Sequence, residues 1–420
     1  MNSTTLNLTR GNLVKNIVTL FSNTAISQGF TALTYLLTAR QLGSTLFGQL
    51  SACLALASVT SVIFNLGLDV RLMREGARTQ IPLSELIGTN VVIKITIGIT
   101  WVFALSIFAI LIEKETFPPA LMAITALSVW MDDLLRTALN AYKASLRNIN
   151  TLLIESTSDI LWFAGTVILV AMAIQAPEIY MTLRFLILLA TVIAAYLLIY
   201  RSIGIHFSFS TTKDSLKASP PYALSEFLAQ ASMRLDVVII AFILGSAFVG
   251  LYSPAVSIIS ALYFIPISIY SVMIPALSSH FEKDSSQAWR SARKFTGLLL
   301  ITGACLSFFL FISANWLVSI LGESYANSAQ ILQILSIILF LKSLSSAMVG
   351  ILIAGGKQSK RAVIQAVVVG LGAILNLLVI SSYGIIGVAY VFVLSELFML
   401  LGYLYLVRQF WFESRSFQAV

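Results

Sequence analysis

Three charged residues, Asp132, Asp133 and Arg136, fall within five positions of the otherwise apolar stretch VWMDDLLRTALNA, residues 129–141. At helical spacing both aspartates can pair with Arg136, one four and the other three residues away. A charge at the centre of a membrane helix costs about 2.5 to 3.5 kcal/mol on insertion scales, so it usually faces a protein interior or a wet cavity. The cluster predicts the wall of a hydrated path. The alternative is a self-neutralising ion pair.

Other apolar runs carry isolated charges of the same kind. In the run 222–244, Asp236 lies about 200° around the helix from Arg234 and cannot be its simple partner. We predict that four bases bind an anion in a cavity: Lys94, Arg136, Arg234 and Lys342. Four uncharged polar residues are predicted to line it: Gln28, Tyr35, Asn140 and Gln230. Four carboxylates are candidates for coupling to an ion: Asp132, Asp133, Asp159 and Asp236.

Some of these residues have a structural alternative. Lys342 and Glu396 are both near mid-span and could form an interhelical pair, and Asp159 could be a helix-start carboxylate. The loop 66–79 carries Arg71, Arg74 and Arg78. These arginines are either ordinary anchors on the cytoplasmic side or contacts for an anionic headgroup at the cytoplasmic mouth of the path.

The composition indicates which kind of protein must position these groups. Of the 420 residues, 58% are hydrophobic and only 10% are charged, whereas soluble domains have about 25% charged residues. This predicts an all-α, multi-pass membrane protein. We predict twelve transmembrane helices: 16–39, 46–68, 86–111, 118–142, 152–174, 180–200, 222–244, 249–277, 295–318, 328–354, 362–381 and 385–407.

The distribution of basic residues gives the orientation. If the N-terminus is cytoplasmic, nearly all loop Lys and Arg residues fall on that side, and only Arg40, Lys114 and Arg184 fall on the other. This is the positive-inside pattern, with both termini in the cytoplasm. It explains the net charge of +8 without nucleic acid as a partner.

The chain also repeats itself. LGSTLFGQLS (42–51) and LGSAFVGLYS (244–253) share five residues at an offset of 202, each between the first two helices of a six-helix unit. We predict two lobes, 1–200 and 222–420, joined by a cytoplasmic linker, 201–221, and related by a pseudo-twofold axis along the membrane normal. Transporters of this architecture bind substrate between their repeats and alternate access by rocking.

Signatures of enzymes are absent from the sequence. It has no phosphate-binding glycine loop, no zinc-ligand spacing and no nucleophile elbow, and Cys53 and Cys305 are far apart in apolar runs. We therefore predict a transporter that is not an enzyme, with no cofactor and no metal.

The twelve helices, the LGSTLFGQLS turn and the basic segment RLMREGAR (71–78) together resemble Wzx-type polysaccharide flippases. These belong to the multidrug/oligosaccharidyl-lipid/polysaccharide exporter superfamily. The resemblance implies a multi-pass protein of the bacterial inner membrane. It implies that undecaprenyl-pyrophosphate-linked oligosaccharide, for O-antigen, lipopolysaccharide or capsule, moves from the cytoplasmic to the periplasmic leaflet, driven by H⁺ or Na⁺. A polysaccharide polymerase and a chain-length regulator are the implied protein partners, and the prenyl chain is expected to stay in the lipid.

Rival functions predict different residues. A cation-coupled multidrug or small-molecule antiporter of the same superfamily would have an aromatic cavity with one or two acids. A MurJ-type lipid II flippase would typically have fourteen spans, and an O-antigen polymerase a large outer loop with catalytic arginines. Four bases in apolar runs favour an anionic cargo.

Overall fold

The computed structural model describes residues 10–76, 81–112, 115–145, 147–283 and 285–416, and these ranges are almost entirely helical. Two long helices are each bent at a glycine, Arg10–Thr60 at Gly43 and Gln358–Ser416 at Gly384. Counting each bent helix as two gives the predicted twelve crossings. They are α1 (10–42), α2 (44–60), α3 (Leu83–Ile112), α4 (Pro119–Ala144), α5 (Asn148–Ala171), α6 (Pro177–Ser202), α7 (Pro220–Ile243), α8 (Ser246–Leu262 and Phe264–Lys283), α9 (Ser285–Leu321), α10 (Ser328–Ala354), α11 (358–383) and α12 (385–416).

Hydropathy alone identifies eight stretches that are long and apolar enough to span a membrane. Two of them, Ala25–Asn65 and Gln358–Glu413, each contain two crossings joined at the bent glycine. The remaining two crossings, α4 and α7, are not among the eight stretches. These two helices carry the most charged residues within their spans. Charged residues that face a polar interior lower the mean hydropathy of a helix, even though the helix crosses the membrane.

The two lobes, α1–α6 and α7–α12, meet at a seam with twofold symmetry. Gly43 and Gly245, which correspond in the repeat, both have positive φ, 74° and 91°, so each begins its second helix after the same kind of turn. A Cβ on Gly48 would collide with the Ser246 carbonyl, and a Cβ on Gly250 would collide with the Ser44 carbonyl. This reciprocity is what a twofold axis requires, and it closes the lobes together on the side predicted to be outer.

The cytoplasmic ends of the helices are more irregular than the sequence suggested. Beyond α2 the chain breaks at Leu66 and Gly67, which both have positive φ, and the predicted loop 66–79 is helical over Leu68–Gly76. The predicted linker contains a helix, Phe209–Ala218. Just before this helix the linker is attached to the first lobe, because the His206 amide donates a hydrogen bond to the Ser84 carbonyl at 3.0 Å.

Candidate functional site

A cavity of about 700 Å³ lies between the two lobes. Its walls come from α1, α2, α4, α5 and α6 of the first lobe and from α7, α8 and α10 of the second. It extends from mid-membrane toward the cytoplasmic ends of α4 and α5. Ten charged side chains line it: Asp132, Asp133, Arg136, Lys143, Glu155, Asp159, Arg184, Glu226, Arg234 and Lys342. Five are basic and five acidic, so the empty cavity is balanced rather than cationic in net charge.

The first-lobe wall holds a chain of ion pairs centred on Arg184. Its guanidinium lies 3.1 Å from Asp159 and 3.4 Å from Asp132, and it stacks on the Trp162 ring at 4.2 Å. Asp132 also accepts from Arg136 Nε at 3.0 Å. Asp132 therefore pairs with both Arg136 and Arg184, and the Arg136 side chain is still 56% exposed to the cavity. An incoming anion can compete for either arginine because charge-assisted bonds to phosphate resemble those to carboxylate.

A second ionic cluster lies behind this wall. The Lys94 ammonium is fully buried, 2.7 Å from Asp133 and 2.9 Å from Asp69, and it donates to the Thr137 hydroxyl at 2.8 Å. Asn65 donates to Asp133 as well. Lys94 is not among the cavity-lining residues, contrary to its predicted position. Its two carboxylates come from α4 and from the helix Leu68–Gly76, and a spacing pattern within one helix cannot reveal them.

The second-lobe wall has fewer charges, and they are less fully paired. Within the described ranges, Arg234 has no ion pair, whereas Lys342 lies 3.3 Å from Glu396. Lys342 also lies over the rings of Tyr263, at 5.6 Å, and Phe392, at 5.3 Å. Tyr35 of α1 lines the same cavity as Arg234. The Lys342–Glu396 pair agrees with the structural alternative for these residues, yet Lys342 still borders the cavity.

The four uncharged residues predicted to line the cavity are all on its surface: Gln28, Tyr35, Asn140 and Gln230. Gln230 donates to Glu226 at 3.3 Å, one helical turn earlier on α7. The cavity therefore offers amide and hydroxyl groups beside its charges, as a sugar-binding surface requires.

Asp236 is placed differently from the other three predicted coupling residues. It does not line the large cavity, because it points into the second lobe, where it accepts from the Tyr252 hydroxyl at 2.6 Å and from the Val237 amide at 2.8 Å. It borders a separate cavity of about 50 Å³ together with Asn376 and Glu396. Among the residues that the structure describes, the Asn376 Oδ1 atom has no hydrogen-bond partner, although it is buried.

The predicted cytoplasmic mouth is only partly described. Arg71 is buried and its Nε pairs with Glu75 of the same helix at 2.8 Å, whereas its buried Nη1 has no hydrogen-bond partner among the described residues. Arg74 lies in that helix, and Arg78 lies outside the described residues.

Several residues that line the cavity were not predicted from the sequence. Arg184 was expected at the outer surface, but α6 begins at Pro177, so Arg184 lies about two turns inside the helix. The spacing Met181, Arg184, Leu188 on one helical face was the signal available for it. Lys143 and Glu155, which are not among the predicted site residues, also line the cavity. In the part of the chain that the structure describes, no group of three or more His, Cys, Asp or Glu is placed to hold a metal ion.

Comparisons with known proteins agree with this architecture. Residues 13–281 match a family described as polysaccharide biosynthesis protein. The fold is similar to that of the lipid II flippase MurJ in an inward closed conformation, with a TM-score of 0.73, 16% identity and coverage of 93% of this chain and 87% of that one.

Two further solved structures share the fold. A eukaryotic MATE transporter gives a TM-score of 0.68 at 14% identity, covering 94% of this chain and 95% of that one. A MOP-superfamily transporter from Pyrococcus furiosus gives 0.68 at 12% identity, covering 93% of both chains. A comparison with curated protein sequences finds no significant match.

Proposed function

The chain belongs to the polysaccharide biosynthesis protein family, and on that premise we propose that it is a lipid-linked oligosaccharide flippase of the Wzx type. The cargo is an undecaprenyl-pyrophosphate-linked repeat unit for O-antigen or a related polysaccharide. The protein moves it from the cytoplasmic to the periplasmic leaflet of the bacterial inner membrane by alternating access. A polymerase and a chain-length regulator are the proposed partners downstream.

One observation carries the proposal: Arg234 faces a large interlobe cavity with no ion pair in the described part of the chain. Arg234 is partly exposed on the cavity surface, so an anion that enters the cavity can reach its guanidinium and form charge-assisted hydrogen bonds. Across the cavity, Arg136 shares its aspartate with Arg184. A pyrophosphate between Arg234 and Arg136 would gain charge-assisted, bidentate hydrogen bonds from both lobes. Lys342 is a further base in reach of the same space, whereas Lys94 contributes only through Asp133.

The closed outer seam supports the direction of transport. The reciprocal contacts of Gly48 and Gly250 hold the lobes together on the outer side, while the cavity extends toward the cytoplasmic ends of the helices. Cargo therefore enters from the cytoplasmic leaflet in this conformation. Rocking of the lobes about the cavity would separate the seam and expose the cargo to the periplasm.

Coupling to H⁺ or Na⁺ is proposed at the carboxylates that hold the cavity arginines. Asp132 and Asp159 neutralise Arg184 and Arg136 when the cavity is empty. When pyrophosphate binds the arginines, these carboxylates lose their partners and can accept a cation. Asp133 remains bound to Lys94, so it is the weaker candidate. Asp236 would act separately, from the small second-lobe cavity.

The first test is a leaflet assay. Purified protein is reconstituted in liposomes with fluorescent undecaprenyl-pyrophosphate oligosaccharide, and access of an external sugar-cleaving enzyme to the lipid is followed with and without H⁺ or Na⁺ gradients. We expect protein-dependent movement that Arg234→Ala and Arg136→Ala slow by about ten- to a hundredfold, the loss of one charge-assisted bond. Lys357→Ala is the control, because Lys357 pairs with Glu413 outside the cavity. Normal transport in both arginine variants would contradict the assignment.

The second candidate is a cation-coupled multidrug or small-molecule antiporter. The equal numbers of acids and bases on the cavity surface favour it, because carboxylates can bind a cationic drug. The same liposomes distinguish the two functions. Export of a cationic dye with no lipid movement under either gradient would support the antiporter and reject the flippase.

A further inference from the structure

Helix α8 forms a wall of the cavity that carries no charged residue. The stretch 246–281 contains no Lys, Arg, Asp or Glu. From this helix Ser260 and Tyr263 line the cavity together with four apolar residues, Val256, Ile259, Phe264 and Ile267. Val256 and Ile259 are only 8% and 4% exposed and pack in the core, so Phe264 and Ile267 are the apolar side chains of α8 that are open to the cavity. We call Phe264 and Ile267 the apolar stripe. They lie about one turn apart on the helix Phe264–Lys283. A polar head and sugars alone would leave this wall without a ligand.

The stripe continues on the helix that carries the proposed anion site. Met233, next to Arg234 on α7, lines the same cavity and is 46% exposed. Ile267 is 38% exposed. Exposed apolar side chains beside an arginine form a surface with two chemistries, one for an anionic group and one for an attached hydrocarbon.

The cytoplasmic half of α8 is also the half that separates from the first lobe. The outer half packs closely on the bent helix Arg10–Thr60, with Gly250 against the Ser44 carbonyl of α2. Below the break at Tyr263, Phe264–Lys283 packs mainly on α9 and α10 and makes few contacts with the bent helix. The stripe therefore lies in the half of α8 that is less closely packed on the first lobe.

We propose that the apolar stripe and Met233 bind the segment of prenyl chain next to the pyrophosphate. This inference rests on the proposed function and replaces the expectation that the whole chain stays in the lipid. A prenyl chain begins at the phosphate, so a head held by Arg234 places its first isoprene units against Met233 and α8. Burying them there removes apolar surface from water in the cavity. The charged first-lobe wall remains available for the sugars.

The test compares two ligands for purified protein. One is undecaprenyl-pyrophosphate oligosaccharide in nanodiscs of phosphatidylethanolamine and phosphatidylglycerol. The other is the same oligosaccharide pyrophosphate with a methyl group in place of the prenyl chain. We expect Ile267→Gln to weaken binding of the prenyl ligand by about tenfold and to leave the methyl ligand unchanged. Val272→Gln is the matched control, because Val272 is 37% exposed on the same helix but does not line the cavity.

The two proposals fail in different ways. One outcome rejects the prenyl site and leaves the flippase standing. In it, wild type flips the lipid, but Ile267→Gln either binds both ligands with normal affinity or loses affinity for both equally while it still folds like Val272→Gln. If wild type binds neither ligand and moves no lipid, the flippase is rejected and the prenyl site with it. Arg234→Ala is expected to weaken both ligands, which separates the head site from the chain site.

Discussion

The two lobes face one cavity with walls of different chemistry. On the first-lobe side, α4 alone brings Asp132, Asp133 and Arg136, and Arg184 of α6 is bound between two aspartates. On the second-lobe side, α8 brings an uncharged stripe, and α7 brings Arg234 without an ion pair in the described ranges. The number of bases therefore does not measure the capacity to bind an anion. On the first-lobe wall Arg136 and Arg184 are already paired with aspartates, whereas in the described ranges Lys143 on that wall and Arg234 on the opposite one have no ion pair.

The largest expected effect sharpens the contrast between the two buried lysines. Lys94→Met removes a fully buried cation and leaves Asp69 and Asp133 facing each other, so we expect a loss of about 3 to 5 kcal/mol in the free energy of unfolding. Lys342→Met should cost less, because Glu396 borders a small cavity that water can enter. Chemical denaturation in detergent measures both. Equal losses would show that the walls do not differ in how they hold charge.

The next effect tests where the lobes are equivalent. Gly48→Ala and Gly250→Ala each place a Cβ against the opposite backbone at the outer seam, where we expect overpacking to cost about 1 to 3 kcal/mol. Because the contacts are reciprocal, the two variants should behave alike, and an impermeant reagent should label a cysteine introduced on the outer side more than it does without the alanine. Gly29→Ala, which meets nothing within 4 Å, is the control. Unlike outcomes for Gly48 and Gly250 would break the twofold relation.

The smallest effect separates stability from binding. Arg184→Ala leaves Asp159 buried with the Ser27 hydroxyl as its remaining partner, which should lower the free energy of unfolding by about 1 to 3 kcal/mol. Arg234→Ala leaves no carboxylate behind, so its stability should stay within about 0.5 kcal/mol of wild type while affinity for the pyrophosphate cargo falls. The same denaturation series and a cargo-binding titration check both. If Arg234→Ala lowers the free energy of unfolding by more than this, Arg234 has a stabilising partner that its described neighbours do not account for.

Much of the scaffold could be read from the sequence. Apolar runs of membrane length and the one-sided distribution of Lys and Arg predicted twelve helices, because each helix must satisfy its own backbone in lipid. The matched decapeptides 42–51 and 244–253 predicted two equivalent halves, and the left-handed glycines at 43 and 245 confirm that the matched turns are alike. The polar faces of α1, α4 and α7 follow from helical spacing alone, and the structure places Gln28, Asn140 and Gln230 on the cavity surface.

Only the tertiary structure decided which charges reach the cavity and which neutralise one another. Lys94 and Arg184 both look like isolated bases in the sequence. Packing buries the first between carboxylates of two other elements and brings the second to the cavity wall. The physical reason is that an ion pair inside a membrane protein forms between helices distant in sequence, and helical spacing fixes only the face on which a residue lies. Which helix that face meets, and whether the meeting leaves an arginine without a carboxylate, depends on how the lobes pack.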